Sequence, residues 1–577
     1  MAITRRDMLK ILAAVGAAAP AAGCGDDENT GATGAPDSGG VPDTGADTGM
    51  AGDGSSDIGT PDAAPSDAWE DEDPGPLPEY EYAAEPADPS VFSHGVASGD
   101  PLPNAVVLWT RITDASPTDA LVWWEVARDT EFQERVLVGE EELDPERDFT
   151  IKVDAVGLRP GRTYFYRFFY KGQVSRTGRM RTAPEGAVDR LRFAFVSCSN
   201  LPDGWFHVYR RLAERPDLDV VLHLGDYIYE YGSDGLRAHE PASEIISLSD
   251  YRTRYGQYRR DTDLQAAHQQ HPFVVVWDDH ESANNSYPDG AQNHSASEGD
   301  WQQRKAASIQ AWFEWMPVRE TADGRIWRNL RYGDLLEFVM LDTRLWGRDE
   351  EVGPGDPAVD DEERTLLGAD QEAWLAETLR QSNAQWKFLG QQVMMGQLQI
   401  GGGILNGDQW DGYGPCRSRL FDVIENDGID NVVVLTGDIH TSWAMDVCRD
   451  PNDPLVYNPS AGVGALAVEF VTPSVTSGAL AGVTPAILDI LYDSNPHIRW
   501  ADLSQKGYVV VDVTPERVQG AWFLLDSVEE TTFTESFARA YSTQSGVSIL
   551  VEDAAPAEPP ALAPPSAPDL PGRPFDA

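Results

Sequence analysis

The stretch His223-Leu224-Gly225-Asp226-Tyr227-Ile228-Tyr229-Glu230-Tyr231 closes an apolar run over residues 219–224 with a glycine, a carboxylate and three tyrosines. A short run rich in Val and Leu is typical of a strand that is buried on both faces. Open α/β sheets bind their ligands beyond the carboxyl ends of such strands. Asp226 and Tyr229 leave that end three residues apart, so both can reach one cation. The stretch therefore predicts the rim of a metal site, with a capping aspartate beside packed tyrosines as the alternative interpretation.

Four other apolar runs, each a predicted strand, also end in polar groups. The runs 192–196, 273–277, 336–341 and 431–435 lead into Ser197-Cys198-Ser199-Asn200, Asp278-Asp279-His280-Glu281, Asp342-Thr343-Arg344 and Thr436-Gly437-Asp438-Ile439-His440. Buried charges are costly unless they are neutralised, so five such strand ends at one edge of a sheet would make a poor core without bound cations. Helical patterns alternate with these strands, which predicts an α/β domain from about residue 191.

The strand-end groups divide by the metal that each prefers. A thiolate and a phenolate favour a highly charged transition metal, so Cys198 and Tyr229 indicate Fe³⁺ over zinc. Asp226 could bridge two ions, and the second ion would meet Asp226, Asp279 and Asp438. This set of oxygen ligands suits Ca²⁺, Mg²⁺ or Mn²⁺.

Two histidines complete the predicted site. His440 stands two residues beyond Asp438, so on an extended segment both side chains point to the same side and each can serve one metal. Two cations roughly 3.5–4 Å apart clamp a phosphoryl group and lower the pKa of bound water. His280 is not needed as a ligand, so we expect it to protonate the leaving oxygen or to stabilise charge on it.

Weaker candidates flank these motifs. Asn284 and Asn285 could hydrogen-bond a phosphate group or merely pack a loop. Arg344 could neutralise a phosphate oxygen, although a structural pair with Asp342 or another carboxylate is the preferred interpretation. Asp278 is the alternative ligand to the aspartate that follows it, because the sequence does not fix the register of the strand.

The N-terminus is typical of an export signal. Thr4-Arg5-Arg6 precedes the apolar run 11–19, which is too short to span a bilayer. The paired arginines match the twin-arginine signal, and Ala21-Ala22-Gly23-Cys24 resembles a lipoprotein cleavage site that leaves Cys24 lipidated. A cleaved signal with an unmodified cysteine is the alternative. We expect the twin-arginine machinery to export a periplasmic or cell-surface lipoprotein, or a form released from the cell, whose membrane contact is the lipid anchor alone.

The order of the motifs Ser-Cys-Ser-Asn, Gly-Asp-x-x-Tyr, Asp-Asp-His-Glu and Gly-Asp-x-His resembles that of the PhoD-like alkaline phosphatases, within the calcineurin-like metallophosphatase superfamily. The resemblance spans about residues 92–523 and includes Phe92-Ser93-His94-Gly95-Val96-Ala97-Ser98-Gly99-Asp100-Pro101. It implies a double β-sandwich flanked by helices, with an iron–calcium site that hydrolyses phosphomonoesters and phosphodiesters. The residues implied at the iron are Cys198, Asp226, Tyr229 and His440; those at calcium are Asp226, Asp279 and Asp438; and His280 is implied near the leaving group.

The sequence departs from the wider superfamily at two positions. Asp438 stands where a Gly-His-x-His motif has its first histidine, and Gly390-Gln391 stands where another Gly-His pair is usual. Both changes replace nitrogen by oxygen, which fits a harder second cation. They make Gln391 a candidate neutral ligand, or a group that supports the ligands from behind.

Composition and pattern, together with the family that the motifs resemble, divide the chain into six parts. These are a signal over 1–24, a disordered acidic linker over 25–88, a small all-β domain of immunoglobulin or fibronectin type over 89–186, the metallophosphatase domain over 187–527, a helical segment over 528–550 and a flexible Pro- and Ala-rich tail over 551–577. The linker accounts for about a third of the formal net charge of −51. The remainder is still acidic, which argues against a nucleic-acid-binding patch. In an oxidising compartment Cys416 and Cys448 could form one disulfide.

The leading hypothesis is therefore an exported phosphatase or phosphodiesterase, active on phosphate esters at neutral to alkaline pH. A second hypothesis keeps the site but changes the substrate to phospholipids, as in a phospholipase D-like enzyme, to glycerol-phosphate polymers or to phosphotriesters. A third is a surface lipoprotein whose acidic pocket binds cations without catalysis.

Overall fold

A computed structural model describes residue 77 and residues 90–114, 121–353, 355–479 and 484–573. The predicted signal, with Cys24, and nearly all of the predicted acidic linker lie outside these residues and stay predictions. None of the helices in the described part of the chain has the length and apolar character needed to cross a bilayer.

The described residues form strands β1–β24 and helices α1–α7. The strands are β1 (Val96–Leu102), β2 (Ala105–Arg111), β3 (Val122–Ala127), β4 (Arg135–Glu141), β5 (Thr150–Val156), β6 (Thr163–Tyr170), β7 (Gln173–Val174), β8 (Gly178–Arg181), β9 (Leu191–Val196), β10 (Val220–His223), β11 (Pro272–Val275), β12 (Arg328–Tyr332), β13 (Leu336–Met340), β14 (Trp386–Gly390), β15 (Gln399–Ile400), β16 (Gly403–Ile404), β17 (Val432–Thr436), β18 (Ser442–Cys448), β19 (Ala465–Val471), β20 (Ile498–Asp502), β21 (Lys506–Val513), β22 (Arg517–Leu525), β23 (Glu535–Gln544) and β24 (Val551–Asp553). The helices are α1 (His207–Ala213), α2 (Leu248–Arg259), α3 (Thr262–Gln270), α4 (Trp301–Trp315), α5 (Gly368–Gln381), α6 (Gly414–Asn426) and α7 (Pro485–Ser494).

Two large sheets pack face to face. One has ten strands in the order β24-β23-β22-β21-β9-β10-β11-β1-β2-β5, and the other has seven in the order β12-β13-β14-β17-β19-β18-β20. Phe193 of β9 meets Phe338 of β13 and Phe388 of β14 edge to face, with ring centroids 5.0 and 5.3 Å apart. This aromatic contact joins the two sheets into one core, which confirms the predicted two-sheet sandwich flanked by helices.

The parallel strands set the position of the site. β9, β10 and β11 run parallel in the first sheet, and β13, β14 and β17 run parallel in the second. The carboxyl ends of parallel neighbours lie at one edge of a sheet, so the polar residues that follow these strands converge.

The N-terminal strands pack around a hydrophobic core of their own, as in the predicted small β-sandwich, but one of the two sheets of this sandwich continues into the large sheet. β1 pairs parallel with β11, in the register Ser98↔Pro272 and Gly99↔Phe273, and β2 and β5 continue the large sheet. A Cβ at Gly99 would lie 2.2 Å from the carbonyl oxygen of Pro317, so only glycine allows this close approach. β3, β4, β6, β7 and β8 form a smaller sheet of their own. The boundary predicted at residue 186 therefore does not separate two independent sheets, because β1, β2 and β5 belong to the large one.

The helix predicted within residues 528–550 is wrong. Glu535–Gln544 is strand β23, which pairs antiparallel along β22 and is followed by β24. Ala, Arg and Glu favour helices, but pairing with a buried neighbouring strand outweighs that intrinsic preference.

The C-terminal tail is predicted to be flexible, but it is hydrogen-bonded to the rest of the chain at several positions. Residues 554–573, here called the strap, run along the protein surface, and their main-chain carbonyl oxygens accept hydrogen bonds from other parts of the chain. The donors are Arg176, Arg190, Arg192, Arg210, Gln269 and Gln519. Ala567 of the strap is buried, and its N–H donates to Gln270 Oε1 at 2.8 Å.

The predicted disulfide is absent from the structure. Cys416 lies on α6 and Cys448 on β18, and both are buried free thiols. Cys416 Sγ instead donates to Glu372 Oε1 at 3.3 Å. Cys416 belongs to an apolar cluster and Cys448 is buried at the end of its strand, so both are core residues.

Candidate metal centre

Four of the predicted ligands have an unusual backbone conformation. Cys198, Asp226, Asp438 and His440 have φ angles of 63°, 56°, 59° and 63°. Non-glycine residues adopt this left-handed region rarely, and such strain concentrates at functional sites. Each of these residues lies two to four residues after the end of a strand, where the chain turns at the edge of the sheet.

Two glycines let the strand ends approach closely. A Cβ on Gly225, which has a φ of +105°, would lie 2.4 Å from Asp278 Cβ. A Cβ on Gly437 would lie 2.8 Å from Ser197 Cβ. These glycines bring the turns after β9, β10, the β11 segment and β17 together.

Cys198, Asp226 and His440 form the first donor group, with one possible ligand atom from each lying within 4.8 Å of the others. Tyr229 joins them: its hydroxyl donates to Asp226 Oδ2 at 2.8 Å and lies 3.1 Å from His440 Nε2. His440 Nδ1 lies 3.0 Å from the carbonyl oxygen of Gly478. That bond fixes the imidazole with Nε2 toward the group, which is the usual support for a metal-binding histidine.

Two further donor groups adjoin the first. Asp226, Asp279 and His280 form one, and Asp278, Asp279 and Asp438 form the other. Asp226 belongs to the first and second groups, and Asp279 to the second and third. Asp278 Oδ2 and Asp279 Oδ1 are buried and accept no hydrogen bond in the described structure. Buried carboxylate oxygens without donors fit a bound cation, and both aspartates of the pair face this space.

Arg344 pairs with three carboxylates. Its guanidinium is fully buried and bonds to Asp278 Oδ1 at 2.5 Å, to Asp438 Oδ1 at 2.9 Å and to Asp408 Oδ1 at 2.8 Å. Asp408 in turn pairs with Arg348. The sequence pattern missed Asp408 and Arg348, because both lie in loops that carry no periodic signal.

Burial dominates the electrostatics of the first donor group. It raises the pKa of the Cys198 thiol and of the Tyr229 hydroxyl well above their usual values, and the negative charge of Asp226 adds to both shifts. Protein groups alone therefore keep these side chains protonated at neutral pH. A bound cation reverses this tendency, so the donor set is suited to hold a metal.

Two carboxylates of the third group, Asp438 and Asp279, respond differently to burial. Burial raises the pKa of Asp438 to about 8, although Arg344 opposes the shift. Burial acts in the same direction on Asp279, but Arg344 and His280 outweigh it and lower its pKa to about 2. Of these two carboxylates, Asp279 therefore stays ionised more readily.

Two glutamates of the quoted motifs have roles that the sequence did not reveal. Glu281 accepts the backbone N–H groups of Asp226, Tyr227 and Asp278 at 3.0, 2.5 and 2.7 Å, and so ties the turns after β10 and β11 together. Glu230 accepts from His280 Nδ1 at 2.6 Å. The only indication of these roles in the sequence is that each glutamate stands next to a predicted site residue.

The weaker candidates separate in the structure. The Asn285 N–H donates to Asp279 Oδ2 at 2.7 Å, so this residue supports a ligand. The Asn284 N–H donates to Glu230, and its side chain bonds to Gln292 and Tyr231. Gln391 donates to Thr436 and accepts from Trp410, so its amide oxygen is used within the core and not at the donor groups.

Two packed sheets with thiol, phenol, imidazole and carboxylate groups gathered at the strand ends define a metallophosphatase-type fold. Residues 193–522 match the family model of the PhoD-like phosphatases, and residues 79–184 match that of their N-terminal domain. The chain belongs to the PhoD-like phosphatase family and is a hydrolase of phosphoric ester bonds.

Individual relatives agree with this assignment. The chain is 39% identical over 467 residues to alkaline phosphatase D of Bacillus subtilis strain 168, which covers 76% of this chain and 78% of the relative. A solved structure described as the structure of PhoD superposes with a TM-score of 0.76 and 35% identity, over 83% of this chain and 94% of that one. The phosphatase hypothesis is confirmed, and the non-catalytic cation-binding lipoprotein is the weaker hypothesis.

Proposed function

We propose that this chain is an exported alkaline phosphatase and phosphodiesterase that hydrolyses phosphate esters with water at a binuclear metal centre. The observation that carries the proposal is the sharing of Asp226 between the group with Cys198 and His440 and the group with Asp279 and His280. One carboxylate common to two donor sets of different chemistry supports two neighbouring ions of different kinds.

The donor chemistry supports Fe³⁺ at Cys198, Asp226, Tyr229 and His440. It supports Ca²⁺, with Mg²⁺ or Mn²⁺ as substitutes, at Asp226, Asp279 and Asp438, with Asp278 beside them. When bound, such a pair of ions lowers the pKa of water and stabilises negative charge on the phosphoryl group.

The protein's own residues supply the rest. Ser477 Oγ donates to the Tyr229 hydroxyl at 2.6 Å and so fixes the direction of the phenol. Arg344 compensates the charge of Asp278 and Asp438 from within the core. His280 stands beside Asp226 and Asp279, where it can give a proton to the departing oxygen of the ester.

The visible spectrum of the purified holoprotein tests the iron assignment. Tyrosinate bound to Fe³⁺ should give an absorption band that disappears in Tyr229→Phe. Tyr231→Phe is the matched control, because it alters a phenol of the same loop and should keep the band. An active enzyme that is colourless and free of iron would contradict the assignment, and metal analysis of protein from its own host would identify the second ion.

Export is a separate part of the proposal, and it is supported by the N-terminal sequence alone. Replacing Arg5 and Arg6 by Lys should retain the protein in the cytoplasm, and Cys24→Ala should release it from the membrane fraction. Membrane-bound Cys24→Ala protein would contradict the lipid anchor.

A further inference from the structure

Three consecutive residues of the opening motif enclose His280. The Tyr229 ring lies 4.2 Å from the imidazole with an interplanar angle of 30°, and the Tyr231 ring lies 5.2 Å away on an edge. Between them, Glu230 Oε2 accepts from His280 Nδ1 at 2.6 Å. The Glu230 side chain is completely buried, and that of His280 is 11% exposed. The imidazole is therefore held on three sides.

Glu230 is itself held by other parts of the chain. Its Oε1 accepts from the Asn284 N–H at 2.7 Å and from Asn293 Nδ2 at 2.9 Å. Its carbonyl oxygen accepts from the Ile245 N–H at 3.0 Å. The buried guanidinium of Arg254 donates to the carbonyl oxygens on either side, those of Tyr229 and Tyr231. Because backbone and carboxylate are both fixed, Glu230 presents Oε2 to His280 in one direction only.

We propose that Glu230 is a positioning residue for catalysis: its carboxylate binds Nδ1–H of His280 and so directs Nε2 toward the leaving-group oxygen. The inference rests on the proposed role of His280. In that step the bond from phosphorus to the leaving oxygen breaks and its electron pair stays on that oxygen, which takes the Nε2 proton. The oxygen of the attacking water forms the new bond to phosphorus. Water gives its proton to solvent and the imidazole regains one from solvent, so the turnover balances.

The hydrogen bonds around Glu230 predict what Glu230→Gln would do. Two N–H groups point at the Oε1 position, so the amide oxygen of glutamine must stay there. The amide NH₂ then occupies the Oε2 position and faces Nδ1. An NH₂ group donates only, so Nδ1 must become the acceptor and the neutral ring must carry its proton on Nε2. Glu230→Gln thus moves the proton of the neutral His280 ring from Nδ1 to Nε2, with little change in the volume of side chain 230.

The test compares esters of good and poor leaving groups. p-Nitrophenolate departs without a proton, whereas a simple alkoxide needs one. General acid catalysis contributes about 10²–10⁴-fold, so we expect Glu230→Gln to lose about 10- to 100-fold in kcat on an alkyl phosphate and less than about 3-fold on p-nitrophenyl phosphate. His280→Ala should show the same dependence on the leaving group. The double variant should be no slower than His280→Ala, because Glu230 acts through His280.

Glu314→Gln is the matched control, since Glu314 is a buried glutamate that pairs with Arg252 and does not contact His280. Glu230→Asp, which keeps the charge, should retain part of the activity on the alkyl ester. It also serves if Glu230→Gln does not fold. Equal losses on both esters at unchanged metal content, or losses that multiply in the double variant, would overturn the role of Glu230. If His280→Ala itself shows no dependence on the leaving group, the proposed acid role of His280 fails, and the inference on Glu230 fails with it.

Discussion

Gly225 is the position where one added methyl group should damage the metal centre most directly. In Gly225→Ala the new Cβ would lie 2.4 Å from Asp278 Cβ and 2.6 Å from the Asp278 backbone nitrogen. It would also impose a side chain on a φ of +105°. The atoms that it meets include backbone next to a buried strand, so they cannot move aside as the end of a flexible side chain would.

The size of the effect follows from two contributions. A side chain at this backbone conformation costs about 1–3 kcal/mol. Forcing an extra carbon into a packed site costs about a further 1–3 kcal/mol. We therefore expect Gly225→Ala to lower the free energy of unfolding by about 2–6 kcal/mol. Displacing Asp278 from its position beside Asp279 and Asp438 should also weaken binding of the metals.

Gly299 provides a matched control, because its φ is +107° and a Cβ there meets nothing within 4 Å. Gly299→Ala should show only the conformational cost, about 1–3 kcal/mol, with normal metal content. Urea denaturation followed by tryptophan fluorescence measures the stabilities, and mass spectrometry measures bound metal per chain. Equal destabilisation of the two variants, with full metal content in Gly225→Ala, would refute the argument from close approach.

Three other predictions concern regions away from the ligands. Truncation after Asp553 removes the strap and should lower the thermal midpoint of unfolding. Activity per bound metal should stay within about 2-fold, because the strap binds Arg190 and Arg192 at the opposite end of β9 from Cys198. Loss of activity at an unchanged thermal midpoint would contradict this prediction. Burial lowers the pKa of His497 to about 3 from 6.5, so only the unfolded chain binds that proton in this interval and stability falls as the pH falls. His497→Leu should therefore make the urea midpoint less sensitive to pH between 6.5 and 3, and an unchanged slope would contradict the sign. Finally, a reductant should leave the thermal midpoint unchanged, since Cys416 and Cys448 are free thiols.

The sequence predicted the parallel strands and most of the donor set for one physical reason. Strands buried on both faces appear as continuous apolar runs, and the first polar residues after each run must emerge at the ligand-binding edge. Cys198, Asp226, Asp279 and Asp438 all follow this rule, and their chemistry identifies them without knowledge of their neighbours.

The missed features depend on contacts between distant parts of the chain. Glu230 resembles an ordinary loop carboxylate until His280, fifty residues later, is placed against it. β23 is a strand because β22 pairs with it, although its own composition favours a helix. The strap is bound through its main-chain carbonyl oxygens, which every sequence possesses, so no side-chain pattern could identify it.

The position of β9 has a consequence for biosynthesis. β9 lies in the middle of the large sheet, yet its partner on one side is β21, which lies more than 300 residues later in the chain. At about 5–20 residues per second, a ribosome needs roughly 15–60 s to supply that partner. Throughout this interval one edge of a buried, mainly apolar strand lacks its hydrogen-bonding neighbour, and such long-range pairing is slow to form. The catalytic sheet can therefore close only when synthesis is nearly complete, and the nascent chain depends on protection of that edge until then.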